Sequence, residues 1–364
     1  MKTYRVAVIG RTGKGNYGHG LDTVWLNNDR ADIVALADED EKGRAAAAAR
    51  LKAPATYGDY RVMLAKEKPQ IVSVADRFLD AHRDMVIACA EAGASTFLEK
   101  PVARTLQEAD EMVAACDKHH VKCAIAHQTR YSPRLKVVKQ LIADGKLGQI
   151  LELRGRGKED SRGGGQDLMV LGTHIFDLMR FLAGDCRWCF ARIWQDGKKA
   201  LPGDARQGGE GMGPVLGDRI VATYGFDQGV VGTFGTHKAK DGAGRRFGLQ
   251  VFGSRGVIHL TTGSLPAVYW LDDPSWTSAD GKGQWRPISS AGVGEPEPLK
   301  DTGADLANRL IAADLMDAIE QDREPLGSLR DGRAALEMIL AVYESHKLEK
   351  PVELPLKNRR HPLG

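Results

Sequence analysis

Five apolar runs of strand length alternate with helix-patterned segments over the first 130 residues: Arg5–Ile9, Ile33–Ala37, Ile71–Ala75, Ser95–Leu98 and Val121–Ala126. The segments between and after them, Gly18–Asn28, Asp40–Leu51, Asp59–Lys66, Asp80–Ala92 and Thr105–His119, carry the helical patterns. Strands that read as nearly continuous apolar runs are buried on both faces, and helical crossovers over a parallel sheet bury them that way. The pattern predicts a doubly wound, Rossmann-type dinucleotide-binding domain over residues 1–130.

After Ser132 the period changes. A helix is expected over Pro133–Ala143, a strand over Gln149–Arg156, and a second helix over Asp167–Leu182, just after Gly163-Gly164-Gly165. Strand-like runs follow at Trp188–Trp194, Arg219–Tyr224, Val230–Thr236, Leu249–Phe252, Val257–Leu260 and Ala267–Leu271, with turn signals between them. Consecutive strands with short connections pair antiparallel. Helices over Ala304–Glu320 and Leu329–Leu348 close the chain. Residues 131–364 are therefore expected to form a C-terminal α/β domain with a large, mostly antiparallel open sheet.

Charge narrows the function. With 51 Lys+Arg against 48 Asp+Glu, the net charge is +3, which argues against a nucleic-acid or membrane-surface protein. The basic cluster Lys357–His361 reads as a solvated tail. No apolar stretch approaches the roughly 18 residues that span a bilayer. The N-terminus passes from Met1-Lys2 straight into a strand pattern, and the five cysteines suit a reducing compartment, so a cytoplasmic protein is expected. Cys186-x2-Cys189 and the Cys116, His119, His120, Cys123 cluster have metal-like spacings. The first lacks a second ligand pair, and residues three apart on a strand face opposite sides. Both read as structural, and no metal is expected.

Three places carry chemistry. Gly10, Gly13, Gly15, Gly18 and Gly20 fall within eleven residues behind the first strand. Glycine there permits a tight turn and close approach of a pyrophosphate, whose charge would rest on the following helix N-terminus. Asp38 ends the second strand 20 residues past Gly18, where an acid accepts from the adenosine ribose hydroxyls. Glu39, Asp40 and Glu41 follow and would repel a 2′-phosphate, so NAD is expected over NADP. Glu99-Lys100-Pro101 sits at the carboxyl end of a parallel strand, the edge at which such sheets bind ligands. On the expected helix Asp167–Leu182, Asp167, His174 and Asp177 stand at i, i+7 and i+10, one polar stripe on an otherwise apolar surface.

These motifs, in this order, resemble the Gfo/Idh/MocA oxidoreductases, relatives of glucose–fructose oxidoreductase and inositol dehydrogenase, from about Tyr4 to about Leu356. Glu99-Lys100-Pro101 is similar to the family's EKP signature, and Ala81-His82 with Ala88–Gly93 to the helix before it. Arg130-Tyr131-Ser132-Pro133 and Gly145–Gly148 resemble the start of its second domain. Gly163–Gly165 with Leu171-Gly172-Thr173-His174-x2-Asp177 resembles its glycine–histidine element, and Val352–Pro355 its closing motif.

The resemblance implies a nicotinamide cofactor, a sugar or polyol substrate, and an open sheet that forms a homodimer or homotetramer. Lys100 and His174 fall on the family's catalytic lysine and histidine. Cofactor contacts are implied at Gly10, Arg11, Thr12, Gly13, Gly15, Gly18, Asp38, Arg77, His82, Glu99, Lys100 and Gln128, and substrate contacts at Asp167, Arg130 and Asp177. The family's aspartate four residues before the histidine is Val170 here, and its asparagine before the arginine segment is Gln128.

Three activities fit this set. The first is an NAD-dependent dehydrogenase of a sugar, sugar derivative or cyclitol, with His174 as general base and Lys100 on the same hydroxyl. The second is an NAD-dependent, redox-assisted glycoside hydrolase. The third is a non-catalytic NAD-binding regulator. In the first, Asp167 stands in for the carboxylate missing at Val170. Trp194, Trp270, Trp276 and Trp285 are further candidates for a sugar-stacking face.

Overall fold

The computed structural model describes residues 3–239, 244, 246–278, 283–300, 303 and 305–364. They divide into two compact units. The first holds the described residues up to His127, Gly209–Met212, and Asp305 to Arg333; the second holds the rest. A single cut at residue 130 therefore misplaces Gly209–Met212 and the helix Asp305–Glu320, which pack with the first unit.

In the first unit, β1 (Tyr4–Ile9), β2 (Ala31–Ala37), β3 (Ala55–Tyr57), β4 (Ile71–Val74), β5 (Ser95–Leu98) and β6 (Cys123–Ile125) form a six-stranded sheet in the order β3-β2-β1-β4-β5-β6. Every pairing is parallel, giving a Rossmann topology. The expected helices appear as α1 (Glu41–Leu51), α2 (Tyr60–Glu67), α3 (His82–Glu91) and α4 (Leu106–His119). Asp40, Asp59 and Thr105 cap α1, α2 and α4 by accepting from the amides of Gly43, Arg61 and Glu108.

The helix expected over Gly18–Asn28 does not form. Residues 12–22 are turns and one bridge, followed by a single 3₁₀ turn at Thr23–Trp25. Gly18 and Gly20 have φ of 62° and 85°, left-handed values that interrupt a right-handed helix. No helix N-terminus therefore follows β1 to receive a pyrophosphate.

In the second unit, α5 (Pro133–Ala143) precedes β7 (Ile150–Arg156), α6 (Gly165–Val170), α7 (Gly172–Ala183) and β8 (Cys186–Gln195). The sheet has 11 strands, running from Gly292–Val293 through β7 to β8 and Val352–Glu353. Its pairings are antiparallel except that of β7 with Val231–His237. Along Arg219–Phe226, Ile220, Ala222 and Tyr224 are buried while Arg219 and Val221 are exposed, so the sheet has one covered face and one open face. On the covered face the Tyr224 hydroxyl donates to the carbonyl of Met338, and the amides of Ala191 and Ile193 donate to Ser345 and His346, all three on the helix Leu329–Leu348.

Two expectations in this unit change. The helix expected over Asp167–Leu182 is two helices, α6 and α7, broken at Leu171 (φ −114°, ψ −34°). The C-terminal cluster is solvated only in part: Lys357 and Arg360 are exposed, but Arg359 donates to Glu337 at 2.8 Å, and His361 is buried against the ring of Tyr343.

Candidate active site

The glycine turn of the first unit is held by Asp38. Oδ2 of Asp38 accepts from the Thr12 amide (3.1 Å), the Thr12 hydroxyl (2.7 Å) and the Tyr17 hydroxyl (2.9 Å), while Oδ1 accepts from the Asp40 amide (3.0 Å). The side chain is buried. The Tyr17 ring lies so close to Gly10 that a Cβ there would stand 2.3 Å from Cε1. The approach that Gly10 permits is thus taken by Tyr17, and the Asp38 carboxylate is bound to the turn instead of being open to a ribose. Burial, with the bond to Asp38, pushes the Tyr17 phenol well above its ordinary range.

Around this turn, Arg11 donates to Asp76 and Asp80, each at 2.9 Å, and is itself buried. Arg77 pairs with Glu210 at 2.9 Å and stays partly exposed. Gly15 lies against Arg77, leaving 2.8 Å from a Cβ to the Cβ of Arg77. Gly13 has open space beside it, and its amide donates to Asn16 at 3.1 Å. His82 is fully buried and faces three backbone carbonyls, so the cofactor contact expected of it is not available.

The carboxyl end of β5 is different. Glu99 is fully buried, and its Oε1 meets His19 Nδ1 at 3.2 Å and lies 3.8 Å from Lys100 Nζ. Its Oε2 has no hydrogen-bond partner among the described residues. Gly18 passes so near that a Cβ would stand 3.0 Å from this oxygen and 2.7 Å from the Ala75 carbonyl. Burial alone would raise the Glu99 carboxyl. The His19 bond and the charges of Lys100, His19 and His82 outweigh it and hold the group below its ordinary value. A buried carboxylate oxygen without a donor is costly, and a ligand hydroxyl would satisfy it. The residues present thus fit a dinucleotide at Gly18 and Glu99 better than at Gly10 and Asp38.

In the second unit, Asp167 is fully buried. It accepts from the amides of Lys158 (3.1 Å) and Glu159 (3.2 Å) and from the Thr236 hydroxyl. A Cβ at Gly157 would meet its Oδ2 at 2.0 Å. Burial raises this carboxyl against those bonds. Asp167 therefore ties the Gly157–Glu159 turn and Thr236 to α6.

Arg130 and Asp177 form a two-pronged buried pair at 3.0 and 2.6 Å, with the guanidinium over the ring of Phe181. His174 lies on α7, partly buried, with its ring edge-on to Phe247 at 6.1 Å. The break at Leu171 separates it from Asp167, so the single polar stripe does not exist. Val170 is buried at the end of α6. Gln128 opens the short 3₁₀ helix that contains Arg130.

Of the candidate tryptophans, Trp270 is buried and Trp276 donates to the Gly253 carbonyl. Trp194 lines a cavity of about 680 Å³ with Asp196, Asp218, Arg219, His237 and Lys238, which includes neither His174 nor Asp167. All five cysteines are buried and unbridged, with burial pushing the Cys116 and Cys186 thiols up to about 12.

Sequence reasoning missed Tyr17 and His19. Their signal was a tyrosine and a histidine inside a glycine turn, where small or polar residues are the rule.

Residues 4–127 match the sequence model of the Gfo/Idh/MocA oxidoreductase family's NAD-binding Rossmann fold, and residues 139–354 match that of its C-terminal alpha/beta domain. The chain belongs to this family. It is 31% identical to the D-apiose dehydrogenase of Paraburkholderia graminis over 195 residues, which span about half of each protein (51% and 51%). It is 26% identical to the levoglucosan dehydrogenase of Pseudarthrobacter phenanthrenivorans over 359 residues, 88% of this chain and 89% of that one. A structure of a levoglucosan dehydrogenase with NADH and L-sorbose superposes with a TM-score of 0.78 at 23% identity, covering 98% and 100% of the chains, a likeness of fold. Among the described residues no helix is long and apolar enough to cross a membrane.

Proposed function

We propose that this family member is an NAD-dependent dehydrogenase acting on a hydroxyl-bearing carbon of a sugar, sugar derivative or cyclitol. The observation that carries the reading is the carboxyl end of β5, where Lys100 follows a buried Glu99 whose second oxygen lacks a donor among the described residues. NAD, when bound, supplies the hydride acceptor. Glu99 accepts from a cofactor hydroxyl, and Gly18 keeps the space beside it free. Lys100 hydrogen-bonds the reacting oxygen and favours its alkoxide character. His174 takes the hydroxyl proton as general base, a task suited to a group that titrates near neutrality. The dehydrogenases of apiose and levoglucosan among the relatives support a carbohydrate substrate.

The same reading makes the protein a cytoplasmic homodimer or homotetramer. Trp188, Val221, Val231 and Tyr269 stand exposed on strands of the open sheet, an apolar surface of the kind that a second copy covers. The five unbridged cysteines suit a reducing compartment.

Lys100→Ala and His174→Asn test the roles. Each should lower kcat by about 10²–10⁴-fold while NAD binding, followed by tryptophan fluorescence, persists. A folded variant with near-native kcat would remove that residue from the mechanism.

A further inference from the structure

His82 opens α3 and is 0% exposed. Its Nε2 lies 2.7 Å from the carbonyl oxygen of Asp76, and its Nδ1 lies 3.0 Å from that of Pro101 and 3.2 Å from that of Val102. Carbonyl oxygens only accept. A neutral imidazole has one N–H and one lone pair, so in this setting one nitrogen would press its lone pair against an acceptor. Only the imidazolium donates on both sides.

A buried cation needs compensation. Two buried carboxylates, Asp76 and Glu99, share in it, the first also paired with Arg11 and the second also meeting His19 and Lys100. Burial raises the Asp76 carboxyl, and the charges of His82 and Arg11 oppose that rise; Glu99 is held down in part by the charge of His82. The other charged groups at this corner are already paired: Arg11 with Asp76 and Asp80, His19 with Glu99, and Arg104 with Glu108. Lys100 stands 3.8 Å from Glu99.

We propose that His82 is a buried, doubly protonated cation that fastens the Pro101–Val102 turn to the Asp76 turn and so fixes the position of Lys100. His82 is then a positioning residue, and this part rests on the catalytic reading of Lys100. A turn held at both ends by charge-assisted hydrogen bonds keeps the lysine in place when substrate and product exchange.

The test is two-bond ¹H–¹⁵N correlation of the histidine rings in the intact, labelled protein at pH 7.5. The His82 ring is assigned through its own backbone. Both nitrogens should show the shift of a protonated nitrogen; one lone-pair nitrogen would overturn the charge assignment.

His82→Gln, which donates from one end only, should lower kcat about tenfold or more, with KM and the NAD dissociation constant changed by less than about threefold. Near-native kcat in the folded variant would overturn the positioning role. If the variant does not fold, the native enzyme decides: both His82 ring N–H protons should exchange slowly with solvent through turnover, and rapid exchange of either would overturn the positioning role. Turnover by Lys100→Ala with both His82 nitrogens protonated would sink the catalytic reading, and the positioning role with it, while leaving the charge in place.

Discussion

Replacing Asp167 by alanine takes the acceptor from three donors: the amides of Lys158 and Glu159 and the hydroxyl of Thr236. The hydroxyl can rotate, but the two amides are fixed. A buried donor left without a partner costs about 1–3 kcal/mol, so the pair costs about 2–6 kcal/mol. Burial raises the Asp167 carboxyl, so removing the charge returns part of that sum. Asp167→Asn is the finer probe. Its amide oxygen replaces one carboxylate oxygen, and its NH2 then faces a backbone N–H, for a loss of about 1–3 kcal/mol. Urea unfolding followed by circular dichroism reads both values. In a unit of this size each kcal/mol lowers Tm by roughly 2–4 °C. If Asp167 instead served the substrate, both variants would keep native stability and lose kcat/KM by about tenfold, or 1.4 kcal/mol of transition-state stabilisation. That result would refute the structural assignment.

Native protein should bind NAD more tightly than NADP in calorimetric titrations. Equal or tighter NADP binding by the native protein would contradict that. Asp38→Ala should lower stability, because it frees Thr12 and Tyr17, and urea midpoints equal to the native ones would refute this. Burial lowers His361 to about 4 from its ordinary 6.5, and its Nδ1 accepts from the Leu363 amide. The folded state therefore holds the neutral ring, and stability is fully present above pH 6.5 and is lost as pH falls toward 4, by at most about 3 kcal/mol. Urea midpoints between pH 7.5 and 4 should show this loss, and His361→Phe, which keeps a ring against Tyr343, should reduce it.

What the sequence made legible was local. Asp40, Asp59 and Thr105 stand just ahead of helical patterns and cap them. The five strand runs all appear, because buried parallel strands are nearly uniform in composition; β3, three residues long, carries too little pattern to read. The failures come from long-range partners. Leu21, Val24 and Trp25 have helical spacing and are buried, yet Gly18 and Gly20 turn the chain left-handed. The stripe of Asp167, His174 and Asp177 assumed one continuous helix, and the break at Leu171 removes it. Thr236 lies 69 residues from Asp167, and Arg130 lies 47 from Asp177. No local period announces such pairings, so the ties that these buried acids make within the fold are not legible in the sequence. Asp38 shows both sides of this: its place at the end of β2 was readable, and the Tyr17 hydroxyl that occupies it was not.

The central claim is that the protein passes a hydride between NAD and a free sugar or cyclitol. The direct measurement is a panel of sugars, polyols and glycosides incubated with protein and NAD, followed in parallel for NADH absorbance and for released aglycone. The account predicts NADH formed in step with oxidation of a free sugar or cyclitol, and no aglycone release. Glycoside cleavage without net NADH, or NAD binding with no turnover across the panel, would contradict it.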